Sequence, residues 1–377
     1  MRIAAFGFRS VPLRPGCAGA DKFASELLPR LVRNGHEVVG YNRLYPGEAP
    51  LDDIVDGVRY KHFRTISRKG FDTLLHSAKC TWDIITRNTA EVVHIQNGGN
   101  SIFGLVLRMF GKRVFISQDG VDWKRDKWPW YGKLFLRLSS HLTAVAATQV
   151  IFDNVFVKKL FEDKFDRRYE FIPFGSEVSE TDLDYSILDD LGVEPGEYFL
   201  FVGRFIPDKG LQYLVPAFER LNSGKKLVLV GGSPNPSDFE KGIKATQDKR
   251  IVFPGFVYGK RAHALMKAAY CYIQPSDVEG LSPVILENMA LGTPILCSDI
   301  VENRYVVADC ALQFRKGDVE DCLRALNDAV SDPVALARLG ENGRRRATDT
   351  FSWTAVTTAH ERVFAGAPSG FADNTAG

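Results

Sequence analysis

Apolar runs of strand length alternate with helix-length segments along this chain, and the alternation stops once and starts again. In the first stretch, strands are expected at Arg2–Phe8, His36–Tyr41, Val92–Gln96, Arg113–Ser117, Gln149–Asp153 and Glu170–Pro173. Between the first two, Phe23, Leu27 and Leu31 recur at helical spacing, and Gly35 is placed to close that helix in a left-handed cap. Strand–helix–strand repetition calls for a parallel sheet covered on both faces. Residues 176–196 are acidic and poor in apolar runs, and the pattern resumes with Tyr198–Val202, Lys226–Gly231, Ile251–Phe253, Cys271–Gln274 and Pro294–Ser298. Helices are expected at Leu211–Leu221 and Pro283–Leu291. The α/β chain thus divides into two doubly wound, Rossmann-like domains in tandem, 1–176 and 197–345, joined by a linker over 177–196. A helix over 346–364, the end of a helix-like stretch from about Val334, is expected to pack back on the first domain, and the tail 365–377 to be disordered.

A length of 377 residues gives each half enough chain to bury a core. No run approaches the roughly 18–20 apolar residues of a membrane helix. The start, MRIAAFGF, reads as a strand and lacks the organisation of a signal peptide. The six cysteines, Cys17, Cys80, Cys271, Cys297, Cys310 and Cys322, show no metal or redox spacing, as expected of a reduced cytoplasmic protein. Charge is uneven: residues 1–180 hold 27 Lys+Arg against 20 Asp+Glu, and the remainder 21 against 26. A basic half beside an acidic one suggests two surfaces with different partners, or a well-solvated surface alone. Low net charge and the lack of a nucleic-acid motif argue against DNA or RNA.

The chemistry-bearing residues gather in the second half. A strand, YFLFV, ends in Gly203-Arg204-Phe205-Ile206-Pro207-Asp208-Lys209-Gly210, and a helix follows. Arg204 and Lys209 therefore sit at the carboxyl end of a parallel strand, where open α/β sheets bind ligands. Two cations beside a helix start suit a diphosphate, and read alone they are equally solvated surface charges. After CYIQP comes Ser276-Asp277-Val278-Glu279-Gly280-Leu281-Ser282-Pro283-Val284-Ile285-Leu286-Glu287. Ser282 suits an N-cap and Pro283 the first helical position, which frees the amides of Val284 and Ile285 for a second phosphate cradle. Glu287, about a turn into that helix, can accept from two ribose hydroxyls, and Glu279 lies nearer a sugar; the bland alternative is a helix-initiating glutamate pair.

In this order, GRFIPDKG, LVLVGG, IVFPGF and EGLSPVILENMALGTPIL resemble the large family of retaining GT-B glycosyltransferases, the glycosyl transferases group 1, over most of the chain. The resemblance implies two domains facing across a cleft and a nucleotide-sugar donor. It implies that Arg204 and Lys209 hold the diphosphate, with Gly203 at the strand end, and that Glu287 holds the ribose. Gly280, Leu281 and Ser282 would approach the phosphates by backbone, and Glu279 would contact the sugar or support the phosphates. Many members have glycine at the position of Ser282. The opening FGFRSVPLRPGCAGADKFASELLPRLVRNGHEVVGYNR and the stretch SQDGVDWKRDKW resemble bacterial polysaccharide rhamnosyltransferases, which favours rhamnose. There Asp119 takes the place of a histidine found more broadly, Ala18-Gly19 replaces a glycine pair, and Asp21 replaces a glutamate. Gly19 is expected near the phosphates.

Some transferases use a divalent metal to stabilise the leaving diphosphate. No Asp-x-Asp stands in a donor-like position, since Asp52-Asp53 falls in a polar loop, and Arg204, Lys209 and helix N-termini can supply the positive potential. Metal-independent, retaining transfer with no cofactor is expected, with Asp119 and Glu279 stabilising the cationic sugar or orienting the acceptor. From the resemblance, the acceptor is expected to be a saccharide or lipid-linked saccharide of bacterial surface-polysaccharide synthesis. The basic run 59–69 and the basic–aromatic run 123–137 suit peripheral contact with the inner face of a cell membrane, a lipid diphosphate, sugar stacking or plain packing. A nucleotide-sugar epimerase, and a non-catalytic nucleotide-sugar-binding partner subunit, remain alternatives. His94, Cys271 and Cys297 read as core residues, and Trp123 and Trp128 as packing.

Overall fold

Ile3, Ala4, Ala5 and Phe6 are all inaccessible to solvent, so the first strand is covered on both faces, as a parallel sheet between helical layers requires. The computed structural model describes residues 1–14, 19–68, 71–118, 139–233 and 237–371. The chain forms two units, Met1–Phe174 with Trp353–Gly377, and Gly175–Ser352.

In the first unit the strands are β1 (Arg2–Phe6), β2 (Glu37–Leu44), β3 (Ile54–Val55), β4 (Val58–Arg64), β5 (Val92–Gln96), β6 (Arg113–Gln118), β7 (Gln149–Phe152) and β8 (Glu170–Phe171). Their order is β3-β4-β2-β1-β5-β6-β7-β8, parallel except for the β3–β4 hairpin. Helices α1 (Gly19–Arg33), α2 (Phe71–Arg87), α3 (Ser101–Met109) and α4 (Val155–Phe165) connect them. α1 buries Phe23, Leu27 and Leu31, and Gly35 (φ +86) closes it, its N–H donating to Val32 O.

The β3–β4 hairpin was not expected. Its second strand lies in the basic run 59–69, where buried Val58 and Tyr60 alternate with exposed Arg59, and Lys61 is drawn to Asp83 at 2.5 Å. Residues 59–64 of the run therefore belong to a half-buried strand.

The second unit contains α5 (Ser186–Leu191), β9 (Tyr198–Arg204), α6 (Leu211–Glu219), β10 (Lys226–Gly232), α7 (Asp238–Lys244), β11 (Ile251–Gly255), α8 (Gly259–Ala268), β12 (Cys271–Gln274), α9 (Pro283–Leu291), β13 (Ile295–Ser298), α10 (Val301–Val307), β14 (Leu312–Phe314), α11 (Val319–Ser331) and α12 (Pro333–Phe351). Its sheet runs β11-β10-β9-β12-β13-β14, all parallel. Phe199, Phe201, Leu214, Phe218, Leu229, Ile273 and Leu296 form its core, each worth about 1.5–3 kcal/mol when fully buried.

Three boundaries differ from expectation. The acidic segment 177–196 is not a free linker: Ile187 and Leu188 of α5 are buried, and Glu180 pairs with Lys267 (2.9 Å) and Arg344 (2.8 Å) of the second unit. The long helix-like stretch near the end is two helices, because Ser352 is extended (φ −66, ψ 146) between α12 and α13 (Trp353–Phe364). α13 belongs to the first unit, where Trp353 meets Phe23 edge-on at 5.6 Å and Phe364 lies 4.9 Å from Phe115. The described part of the tail is packed: Ser369 N donates to Glu170 at 2.8 Å and Phe371 lies edge-on to Phe171. Residues 372–377 lie outside the described residues.

Candidate functional site

Two neighbouring strands of the second sheet deliver the site. β9 pairs with β12, although 66 residues of other structure separate Arg204 from Cys271 in the chain. Beyond β9, a 3-10 turn (Pro207–Lys209) ends in Gly210, whose φ is +74. A methyl at Gly210 would stand 1.8 Å from the Pro275 carbonyl oxygen, so only glycine lets this loop lie against the loop after β12. Asp277 N donates to Asp208 O (2.9 Å), and Tyr213 of α6 donates to Asp277 (3.0 Å), fixing the two loops together.

That contact brings Lys209 to Glu279. Lys209 Nζ lies 2.5 Å from Glu279 Oε1, and the glutamate side chain is only 7% exposed. The same oxygen accepts from Ser276 Oγ at 2.6 Å and from Gln274 Nε2. Tyr272 donates to Gln274 Oε1; burial, reinforced by the nearby charges of Glu279 and Glu287, holds its phenol well above the ordinary range, so it remains a donor. Ser298 donates to Ser276 O at 2.6 Å and is itself held by Asn303. Glu302 of α10 adds a third carboxyl, raised by burial and then by the charge of Glu279, with Lys316 opposing. Arg204 is exposed and forms no ion pair among the described residues.

α9 begins at Pro283, with Ser282 at the N-cap position, but the Ser282 side chain makes no capping hydrogen bond. The expected serine cap is thus absent, although Ser282 is largely buried. The amides of that turn are left for another acceptor, beside the positive end of the helix dipole. Gly280 faces open space, since a methyl there would meet nothing within 4 Å. Leu281 and Glu287 are each 9% exposed, and His263 Nε2 is 4.0 Å from Glu287 Oε2. Gly203 plays a different part: it stands in register with Gly231, whose Cβ would collide with the Gly203 carbonyl, so the pair lets β9 and β10 close up at their carboxyl ends.

The structure thus gathers Lys209, Glu279, Gly280, Leu281, Ser282 and Glu287 at the carboxyl edge of one sheet. Gln274, Ser276, Tyr272 and Glu302 were missed. A polar Gln274 closing the apolar run CYI was the one signal available.

In the first unit Gly19 opens α1, exposed, and Asp21 behind it accepts from Arg9 N (2.5 Å) and Ser10 N (2.9 Å). That carboxylate holds the loop after β1. Asp119 and the aromatic–basic run 123–137 lie outside the described residues. His94 is a buried core residue, bonded through Nε2 to Ser117 Oγ at 2.8 Å. The described cysteines, Cys80, Cys271, Cys297, Cys310 and Cys322, are buried free thiols. Among the described residues no group of three His, Cys, Asp or Glu is placed to hold a metal ion, and no helix is long and apolar enough to cross a membrane.

Residues 189–346 match the family Glycosyl transferases group 1. That match covers most of the second unit. Residues 92–177 match a domain of unknown function, DUF1972. The alpha-maltose-1-phosphate synthase of Mycolicibacterium smegmatis is 30% identical over 194 residues, 47% of this chain and 50% of that protein. The O-antigen chain mannosyltransferase C of Escherichia coli is 25% identical over 209 residues, 53% of this chain and 55% of that protein. The chain spans about half the length of the curated relatives it matches. Among solved structures, HepE of Anabaena in complex with UDP and glucose superposes with a TM-score of 0.74 at 16% identity, over 97% of this chain and 100% of that one. The two units together have the two-domain α/β fold of GT-B proteins.

Proposed function

We propose that this chain is a glycosyltransferase that moves a hexose or deoxyhexose from a nucleotide-diphosphate sugar to a saccharide or lipid-linked saccharide, with retention and without a metal. The observation that carries this reading is the Lys209–Glu279 pair beside the uncapped start of α9, in a unit that matches group 1 over 189–346. Arg204, Lys209 and the amides after Gly280 would receive the diphosphate, and Glu287 the ribose. As the bond from the sugar to the phosphate breaks, negative charge grows on the phosphate oxygen, and fixed cations and amides stabilise it there. Glu279, held by Ser276 and Gln274, would orient Lys209 and face the sugar. Asp119 is assigned to the acceptor side on sequence grounds. Rhamnose is favoured by the first-unit motifs. The names of the relatives and neighbours also support screening mannose and glucose donors.

The test begins with thermal shift against UDP, GDP, dTDP, ADP and CMP. A ligand at about 100 times its Kd adds about 2.7 kcal/mol. One nucleotide is expected to stabilise the protein, Lys209→Ala or Glu287→Ala to lose that shift, and Asp119→Ala to keep it while losing transfer. No shift with any nucleotide would refute the donor site. Donor consumption without an acceptor product would favour an epimerase, and binding without turnover a silent partner. Activity should persist in excess EDTA; a strict need for added Mg²⁺ or Mn²⁺ would refute the metal-free part.

A further inference from the structure

α13 packs on α1 and the first sheet mainly through rings: Trp353 and His360 meet Phe23, His360 also lies beside His94, and Phe364 lies on Phe115. One spot in this aromatic contact is polar. Gln96, the last residue of β5, and His360 of α13 line a cavity of about 20 Å³. Gln96 is 3% exposed and His360 1%, yet Gln96 Oε1, Gln96 Nε2 and His360 Nε2 find no protein partner. Buried groups of this kind are almost always hydrogen-bonded, because leaving them unpaired costs free energy. The other polar residues of the lining, Ser117 and Asp153, are already engaged, Ser117 with His94.

The hydrogen-bonding roles around the cavity are fixed. His360 Nδ1 lies 2.8 Å from Val356 O, which can only accept, so Nδ1 carries the hydrogen. Burial holds this ring down at about 4, so at neutral pH Nε2 is a bare acceptor. The Gln96 amide offers one acceptor and one donor group, whichever way it is turned. Its backbone is pinned from two sides. A methyl at Gly7 would lie 2.1 Å from Gln96 O, and Asn100 Nδ2 donates to that same oxygen at 3.2 Å. The side chain is therefore held against the cavity, with acceptors and a donor gathered around one small space.

We infer that one ordered water molecule occupies this cavity, donating to His360 Nε2 and bonding the Gln96 amide, and so ties α13 to β5. A water needs about 10–15 Å³ and makes about three hydrogen bonds to buried groups, which this site supplies. An apolar guest would leave all of them unpaired, and a sugar or nucleotide is far too large. The inference is independent of the transfer chemistry, because it concerns the first unit alone and needs no turnover.

A high-resolution crystal structure of the full chain should show a solvent peak about 2.7–3.2 Å from both His360 Nε2 and the Gln96 amide. No peak there, or a direct bond between the two side chains, would overturn the inference. In solution, Gln96→Met keeps the size of the side chain and removes its polar atoms. With the water in place it breaks the tie, so the urea midpoint falls and the amides of α13 exchange with D₂O about tenfold or more faster. Were the cavity dry, the same change would relieve an unpaired amide, and a raised or unchanged midpoint would refute the water. His360→Phe removes the other end of the tie. Because Gln96 and His360 do not bond each other, coupling between the two substitutions reports the bridging molecule. Gln96→Met should slow or speed α13 exchange little once His360 is Phe; fully additive effects would overturn the bridge.

Discussion

Replacing Gly210 by alanine tests whether the meeting of two loops makes the site. Gly210 has φ +74, and the added methyl would lie 1.8 Å from the Pro275 carbonyl oxygen, where about 3.0 Å is the closest approach real Cβ atoms show. The loops must separate by about 1 Å or more. The left-handed conformation costs an alanine about 1 kcal/mol. Losing the Asp277–Asp208 backbone bond costs about 1 kcal/mol more, and overpacking about 1–3 kcal/mol. The sum is about 3–5 kcal/mol. Gly255 is a matched control: its φ is +77 and a methyl there meets nothing within 4 Å, so Gly255→Ala should cost only about 1 kcal/mol. Urea unfolding measures both. For a unit of this size each kcal/mol shifts Tm by about 2–4 °C. Gly210→Ala should also lose its response to nucleoside diphosphate, since Lys209 no longer meets Glu279, while Gly255→Ala keeps it. If the two variants were equally stable and both bound nucleotide, the close loop contact would have no part in the site.

Two further predictions concern pH. Burial depresses His94 to about 3 and His360 to about 4, with the neighbouring His360 a lesser cause for His94. An unfolded histidine titrates near 6.5. The unfolded chain therefore takes up protons first, so stability is complete above about pH 6.5 and falls as pH drops; at about pH 5 each residue costs about 2 kcal/mol. Urea midpoints from about pH 7 to pH 5 should show this fall, and a flat profile would refute it. Glu302 is raised instead, by burial and by Glu279, so its ionisation opposes folding once pH passes the ordinary glutamate range. Glu302→Gln should raise Tm at about pH 7 and change it little near pH 4; lower stability at both would refute the assignment.

Much of the second unit was legible because its signals are local. The start of Pro283–Leu291 could be read from Ser282-Pro283, and the structure closes the helix at left-handed Gly292. Lys209 and Glu279 could each be singled out, but not their ion pair, which depends on β12 lying beside β9 in the order β11-β10-β9-β12-β13-β14. Gln274 and Tyr272 stayed hidden for the same reason, as a strand's apolar run says nothing of what its last residue holds. β4 was not expected because its buried alternation is carried by Val58 and Tyr60 alone, among four basic and imidazole side chains. The break at Ser352 left no mark because helical spacing continues on both sides of it.

The return of α13 to the first unit has a consequence for synthesis. Phe23, His94 and Phe115 are covered by Trp353, His360 and Phe364, and residues 175–352 must be translated before that cover exists. At about 5–20 residues per second, the nascent first unit waits roughly 10–40 s with an aromatic face bare. A chain cut after Ser352 would hold that condition permanently and should bind a hydrophobic dye that the whole chain does not. The order of the elements thus makes α13, synthesised only after the whole second unit, the element that seals the first unit.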